Sequence, residues 1–203
     1  MILCLLPALG WAQKSNELQY SLLFGLNQPL VLQGFNIEAN VWTRKWVFDY
    51  SHGFGLQFRD ALVTGEASRQ QLAFYVPHST GFGIGYRFTE GLNVRLEPKW
   101  HVWEIYEASA YRQDARRVAA YSTFTLGLGA YYRWLPFAKQ PNALKGLTIA
   151  PSFRWWPNIA STLPGDEVRY FNQTTASQER HQVNNIGMAN TPFFVNVSVG
   201  YTW

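Results

Sequence analysis

The feature that most restricts this chain is a side-chain alternation with a period of two. In "FFVNVSVGYTW" the odd positions Phe193, Val195, Val197, Val199, Tyr201 and Trp203 are apolar, while Asn196, Ser198, Gly200 and Thr202 are small or polar. Successive residues of a strand point to opposite faces, so this pattern describes a strand with one apolar face. The design recurs. "FTLGLGAYYRW" sets Phe124, Leu126, Leu128, Ala130, Tyr132 and Trp134 against Gly127, Gly129, Tyr131 and Arg133. "GFGIGYRF" sets Phe82, Ile84, Tyr86 and Phe88 against Gly83, Gly85 and Arg87. "WVFDYSHGFGLQF" sets Trp46, Phe48, Tyr50, Phe54, Leu56 and Phe58 against Val47, Asp49, Ser51, Gly53, Gly55 and Gln57.

Eight such segments are expected, near residues 18–26, 30–42, 46–58, 80–88, 92–105, 119–134, 146–157 and 191–203. An even number of strands of about ten residues with alternating faces is the pattern of a transmembrane β-barrel. A soluble sandwich would carry charges opposite its apolar face. Here that second face is mostly Gly, Ser, Thr and Asn, and charged residues are only 15% of the chain, against about a quarter in ordinary soluble domains. The expected fold is therefore all-β, an antiparallel up-and-down transmembrane barrel with a narrow polar lumen.

The start, "MILCLLPALGWAQ", is an apolar run ending in the small residues Gly10 and Ala12. It reads as a secretory signal peptide over residues 1–12, without the basic residues that usually precede one, leaving a single domain over 13–203. The sole cysteine, Cys4, falls inside that segment, so the exported chain would carry no thiol. Beyond Ala12 no apolar stretch approaches the roughly 18 residues of a membrane helix, so any crossing must be made by strands.

The connections alternate in length. "TEG" at 89–91 and "TRKW" at 43–46 are tight, and pairing Phe88 with Leu92 leaves a three-residue loop in which Gly91 is expected to be left-handed. That register sets Tyr86 opposite Val94 and Ile84 opposite Leu96. Residues 59–79, 106–118 and 158–190 are long and polar; only the first connection on that side, "NQP", is short. Short periplasmic turns and long extracellular loops are the barrel arrangement, which puts both termini in the periplasm. Trp42, Trp46, Phe88, Trp134, Phe137 and Trp203 all lie near the tight turns and are expected to form one interfacial aromatic girdle.

With these features the chain resembles the small eight-stranded outer-membrane barrels of the OmpA and OmpX type. The style of "GFGIGYRFTEGLNVRLEP" and "ANTPFFVNVSVGYTW" is similar to barrel proteins of Bacteroidota. The resemblance implies location in the outer membrane of a Gram-negative bacterium, with the lipid bilayer as partner. It also implies that Val197, Val199, Tyr201 and Trp203 form the terminal signal that the barrel-assembly machinery reads, and that the last strand closes against the first.

By parity Glu38, Asp49, Arg87, Arg95, Glu97, Lys99, Arg133 and Arg154 point into the lumen, although Pro98 and Pro151 could each introduce a bulge that swaps the faces. An eight-stranded barrel is just wide enough for its interior side chains, and buried charges there must pair. The glycines Gly83 and Gly85 are expected to make room for Glu97 and Arg95. The main reading is a lumen plugged by paired charges in a protein with a structural, adhesive or binding role; the alternative is a narrow gated pore for ions or small solutes. His52 falls on the outer face in mid-strand, a misfit to the pattern.

Some small outer-membrane barrels are lipid A deacylases with a His and a Ser one residue apart. Here "PHST" makes His78 and Ser79 direct neighbours, which face opposite sides of a strand, and "QERHQVNN" brings Glu179 and His181 without an adjacent serine. No enzyme is expected. No motif calls for a cofactor or metal, and 17 basic residues scattered among acids form no nucleic-acid stripe. Asn172 and Asn196 open incidental glycosylation triplets. An extracellular ligand would have to be held by the loops, above all by 158–190.

Overall fold

In the computed structural model, residues 18–183 and 192–203 are described. The predicted signal segment 1–12 lies outside them. Eight strands form the barrel: β1 (Gln19–Gly25), β2 (Phe35–Trp42), β3 (Trp46–Phe58), β4 (Leu72–Arg87), β5 (Leu92–Glu107), β6 (Arg117–Tyr132), β7 (Leu147–Trp155) and, after three shorter strands, β11 (Phe193–Thr202). Each pairs antiparallel with its neighbours in the order β1-β2-β3-β4-β5-β6-β7-β11, and β11 pairs back onto β1 from Ser21 opposite Thr202 to Gly25 opposite Ser198. Every barrel strand thus has two partners and no through-running edge is left open. Among the described residues no helix is long and apolar enough to cross a membrane.

Several expected boundaries shift. The segment from 30 starts as a short helix, α1 (Asn27–Leu30), and β2 begins only at Phe35. β4 starts at Leu72, so much of the polar stretch 59–79 is strand, and the rest holds the one-turn helix α2 (Gly65–Arg69). The connection 158–190 is not structureless. It contains β8 (Asn158–Ser161), which adds to β6, and a hairpin of β9 (Glu167–Asn172) and β10 (Ser177–Gln182).

The "TEG" register is as expected, with Tyr86 opposite Val94, Ile84 opposite Leu96 and Gly85 opposite Arg95. Gly91, however, is not left-handed. The turn is held instead by the Thr89 hydroxyl, which accepts from the Gly91 and Leu92 N–H groups. Glycine is required at 91 because a Cβ would stand 2.9 Å from the Arg133 carbonyl oxygen.

The outer face is an apolar belt. On β3, Trp46 near the short turns and Phe54 toward the long loops are eight steps apart, about 21 Å along the barrel axis for strands tilted by about 40°. That is close to the apolar band of about 25 Å typical of membrane barrels. Tyr20, Phe48, Phe82, Ile84, Leu96, Leu128, Phe153 and Val195 are exposed within it. Strands β3 to β6 run on past this band, β5 by about 18 Å from Trp100 to Glu107. One wall of the barrel therefore stands well above the rest.

Two irregularities govern what that wall encloses. Gly55 takes a positive φ of 67°, and the β4–β5 register shifts by one residue between Tyr75 and Ser79. Both strands exchange faces there. Leu56 and Phe58, expected on the outside, turn inward and pack with Val76, Leu72, Trp103, Ile105 and Tyr121. The lumen is accordingly polar only in its lower part, toward the short turns; its upper part is an apolar core. Pro98 and Pro151 cause no swap, because Pro98 stays in register with Leu126 and Pro151 with Val197, and Lys99 and Arg154 remain inside. His52 does lie on the outer face, where its Nδ1 is 2.6 Å from the hydroxyl of Thr80 on the neighbouring strand.

Candidate functional site

The lower lumen is filled by charge. Glu38 comes from β2, Asp49 from β3, Arg95, Glu97 and Lys99 from β5, and Arg154 from β7, each at an inward position of its strand and each nearly inaccessible to solvent. Arg95 is the centre: its Nη1 donates to Glu38 Oε1 at 2.8 Å, to Asn40 Oδ1 at 2.8 Å and to Asp49 Oδ2 at 3.3 Å, while its Nε donates to Asn93 Oδ1 at 2.8 Å. Arg154 is 3.7 Å from the other Glu38 oxygen, and Lys99 is 3.8 Å from Glu97. The Tyr131 hydroxyl donates to Glu97 Oε2 at 2.5 Å. Three carboxylates meet three cations, so the layer is formally neutral, as a buried group of charges must nearly be.

Glycines on facing strands make the room, though not as pairwise register suggests. A Cβ on Gly83 would fall 2.0 Å from Asp49 Oδ2, so Gly83 accommodates Asp49 rather than Glu97; one on Gly85 would fall 2.6 Å from Arg95 Cγ.

Arg87 and Arg133 lie nearer the short-turn mouth. Both are 4.0 Å from Glu90 Oε2, and Arg133 Nη1 also donates to Gln19 Oε1 at 2.9 Å. Between the two layers stands Trp42, a correction to the expected girdle. It is 1% exposed, its indole N–H donates to the Ser21 hydroxyl at 2.7 Å, and the guanidinium groups of Arg87, Arg95 and Arg133 lie over its ring at 5.6, 5.3 and 4.3 Å. Trp42 shares strand parity with Glu38 and Asn40, and a ring stacked under cations is more favourable there than a second row of hydrated charges. Trp46, Phe88, Trp134 and Trp203 are exposed at the short-turn end, whereas Phe137 is half-buried in the turn 136–139 and belongs to no strand. Tyr201 on β11 and Trp203 just past its end are exposed, and Val197 and Val199 are half-buried on the outward face.

Above the charges lies a cavity of about 50 Å³, lined by Lys99, His101, Arg154 and Trp156 on one side and Leu56, Val76 and Trp103 on the other. It has room for a few water molecules. Above it the apolar core is roofed by the β9–β10 hairpin, which contributes Val168 and the following Val183. Gln70 clasps that hairpin: its Nε2 donates to the Arg180 carbonyl at 2.8 Å, its carbonyl accepts from Asn172 Nδ2 at 2.8 Å, and its Oε1 accepts from His181 Nδ1 at 3.0 Å. Glu107 holds the hairpin tip through the Gln173 N–H. Nothing in residue spacing pointed to Gln70.

The hairpin's titratable groups make its docking pH-sensitive. Burial lowers the pKa of His181, with Glu66 opposing only in part. Burial would raise that of Glu179, but hydrogen bonds from Thr175, Asn172, Tyr170 and Ser177 outweigh it and hold it low. With a depressed His181, the undocked hairpin binds a proton first as pH falls below about 6.5, so docking weakens there; the hydrogen-bond donors to Glu179 lie within the hairpin, so its protonation below about 4.3 loosens the hairpin itself. Amide hydrogen exchange in residues 167–182, corrected for intrinsic rate, is expected to rise between pH 7.5 and 5.5, and His181→Gln is expected to flatten that dependence.

The candidate catalytic groups do not assemble. His78 lies on the outer side, its ring 5.9 Å from that of His52, while Ser79 lines the interior cavity. Ser177, Glu179 and His181 share one face of β10, but Ser177 bonds to Glu179 and His181 is engaged by Gln70. Among the described residues no group of three or more His, Cys, Asp or Glu could hold a metal ion. Asn172 is wholly buried.

A closed eight-stranded sheet with an apolar belt outside and a charged lumen inside defines a small transmembrane β-barrel. No protein-family model and no curated protein matches the chain. Among solved structures it is similar to Ail, the attachment invasion locus protein of Yersinia pestis, in complex with the heparin analogue sucrose octasulfate, with 12% identity over 92% of this chain and 99% of that one and a TM-score of 0.42. A second structure of Ail gives 10% identity over 92% and 96%, with a TM-score of 0.36. Resemblance at this level adds nothing to the fold that the strand pairing itself establishes.

Proposed function

We propose that this chain is a non-conducting, non-catalytic barrel of the Gram-negative outer membrane that works as a binding or adhesion protein through its extracellular wall. Residues 1–12 direct its export, the outward face of β11 is what the assembly machinery reads, and the long-loop end faces outward. The observation that supports this reading is that side chains occupy the lumen at two levels. A neutral layer of paired charges fills the lower half, and an apolar core under a docked hairpin fills the upper half. A path for ions would have to breach both.

The extracellular wall is the part with material to spare. β3 to β6 project beyond the lipid band, and among the described residues β6 has no strand partner on its far side from Arg117 to Tyr121. An unpaired edge of that kind can accept an extended segment from a ligand.

Planar-bilayer recording of the refolded chain is the test. Silence is expected from the barrel and from Glu97→Gln, with folding checked by heat-dependent gel mobility. Reproducible single-channel steps altered by Glu97→Gln would establish the narrow gated pore instead. Replacing 158–190 by a short turn is expected to remove binding to cells or matrix while the barrel still folds.

A further inference from the structure

The two rims of the barrel differ in charge. The long-loop rim, residues 59–71, 104–117 and 159–182, carries seven arginines and eight carboxylates, and most of the arginines are paired: Arg59 with Asp60, Arg116 with Glu107, Arg117 with Glu104, and Arg169 and Arg180 with Glu167. The short-turn rim carries Arg44, Lys45, Lys139 and Lys145, all exposed, and none of the four has a carboxylate partner among the described residues. The acidic side chain there, Glu90, faces the mouth and is occupied with Arg87 and Arg133.

Placement decides what these cations fit. Arg44 and Lys45 sit in the β2–β3 turn, Lys139 and Lys145 in the β6–β7 connection. In the strand order around the barrel these links are four strands apart, half a circumference. The two basic pairs stand on opposite sides of the mouth as separate contact points, which small anions crowded around the rim can occupy independently. In both links the backbone is held at the height of exposed aromatics: the Lys45 carbonyl accepts from the Arg87 N–H next to Trp46, and the Ala143 carbonyl, two residues before Lys145, accepts from the Tyr201 hydroxyl at 3.0 Å. Aromatics at a membrane edge mark the headgroup level.

We propose that this rim selects anionic phospholipid headgroups from the periplasmic leaflet, with the two basic pairs as separate docking points. The inference rests on reading the chain as a membrane barrel whose short-turn end is periplasmic. Its chemistry is that of juxtamembrane lysines and arginines on a phosphate surface: point charges that prefer a lipid with net negative charge over a zwitterionic one, screened by salt.

The test uses the chain's own tryptophans. The refolded protein is placed in vesicles containing dibrominated phosphatidylglycerol or dibrominated phosphatidylcholine, whose bromines quench nearby indoles such as Trp46, Trp134 and Trp203. An apparent preference for the anionic lipid of about fivefold at low salt is expected, falling toward unity in high salt. It should disappear in a variant carrying Arg44→Gln, Lys45→Gln, Lys139→Gln and Lys145→Gln, and persist when Arg59, Arg69, Arg112 and Arg169 of the other rim are changed to Gln. Equal quenching by both lipids from a folded barrel, or a preference that survives the first variant or is lost in the second, overturns the inference alone. A chain that folds into neither vesicle overturns the membrane reading beneath it.

Discussion

Replacing Arg95 with methionine is expected to lower the unfolding free energy of the barrel by about 3 to 5 kcal/mol, the range for breaking a buried ion pair by removing one partner. Arg95 donates to Glu38, Asn40 and Asn93 and lies 3.3 Å from Asp49, with no solvent to replace it. Methionine fills much of the volume between the rings of Trp42 and Tyr131 but supplies no donor. Glu38 then keeps only the weaker approach of Arg154 at 3.7 Å. Urea unfolding of the refolded chain in vesicles, followed by tryptophan fluorescence, measures the loss. A double variant adding Asp49→Asn, which restores neutrality and leaves Glu38 with Arg154 and Glu97 with Lys99, should recover most of it, because the cost comes from stranded charge rather than from the missing contact. A loss below about 1 kcal/mol for the single variant would show that water reaches the layer and that the lumen is not closed there.

Trp103→Ala is expected to cost a similar amount, about 3 to 5 kcal/mol, for a different reason. The indole is the largest side chain of the upper core; it lies near the rings of Phe58 and Tyr121 and its N–H donates to the Thr123 hydroxyl at 3.0 Å. Truncation leaves a cavity under the hairpin that the surrounding strands, held in the barrel's hydrogen-bond ladder, cannot collapse to fill. The effect should be visible beyond stability. Val168 and Val183 rest on the same cluster, so residues 167–182 should become more sensitive to proteolysis than in the parent barrel. Trp103→Phe should restore most of the protection. Undiminished resistance in Trp103→Ala would place the hairpin's hold in the Gln70 and Glu107 hydrogen bonds instead.

Much of the charged layer could be read from parity, since below Gly55 and the β4 bulge the strands keep their alternation and a one-residue error would have put charges into lipid. The inward placement of all eight charges needed only the odd or even position of each. Trp42 shows where such reasoning fails. Its neighbourhood to a turn suggested an interface, but parity with Glu38 put it inside, and three arginines from other strands decided its surroundings. The upper core was misread for a related cause. Leu56 and Phe58 continue the outward pattern of β3 in sequence, and only the positive φ of Gly55 and the bulge in β4 turn them inward.

What the order of residues determined by itself is the barrel: strand count, alternation of faces, and the two tight turns after β2 and β4 at one end with the longest connections at the other. These follow from local rules, a period of two and turn chemistry, that act within a few residues. What only the tertiary structure decided is how the interior is packed and which surfaces are left free. The meeting of Arg95 with Glu38 spans 57 positions, and that of Gln70 with His181 spans 111. Such contacts depend on curvature, bulges and strand length together, because side chains from all around a closed sheet converge on one axis, and no single segment carries the information about what it will meet there.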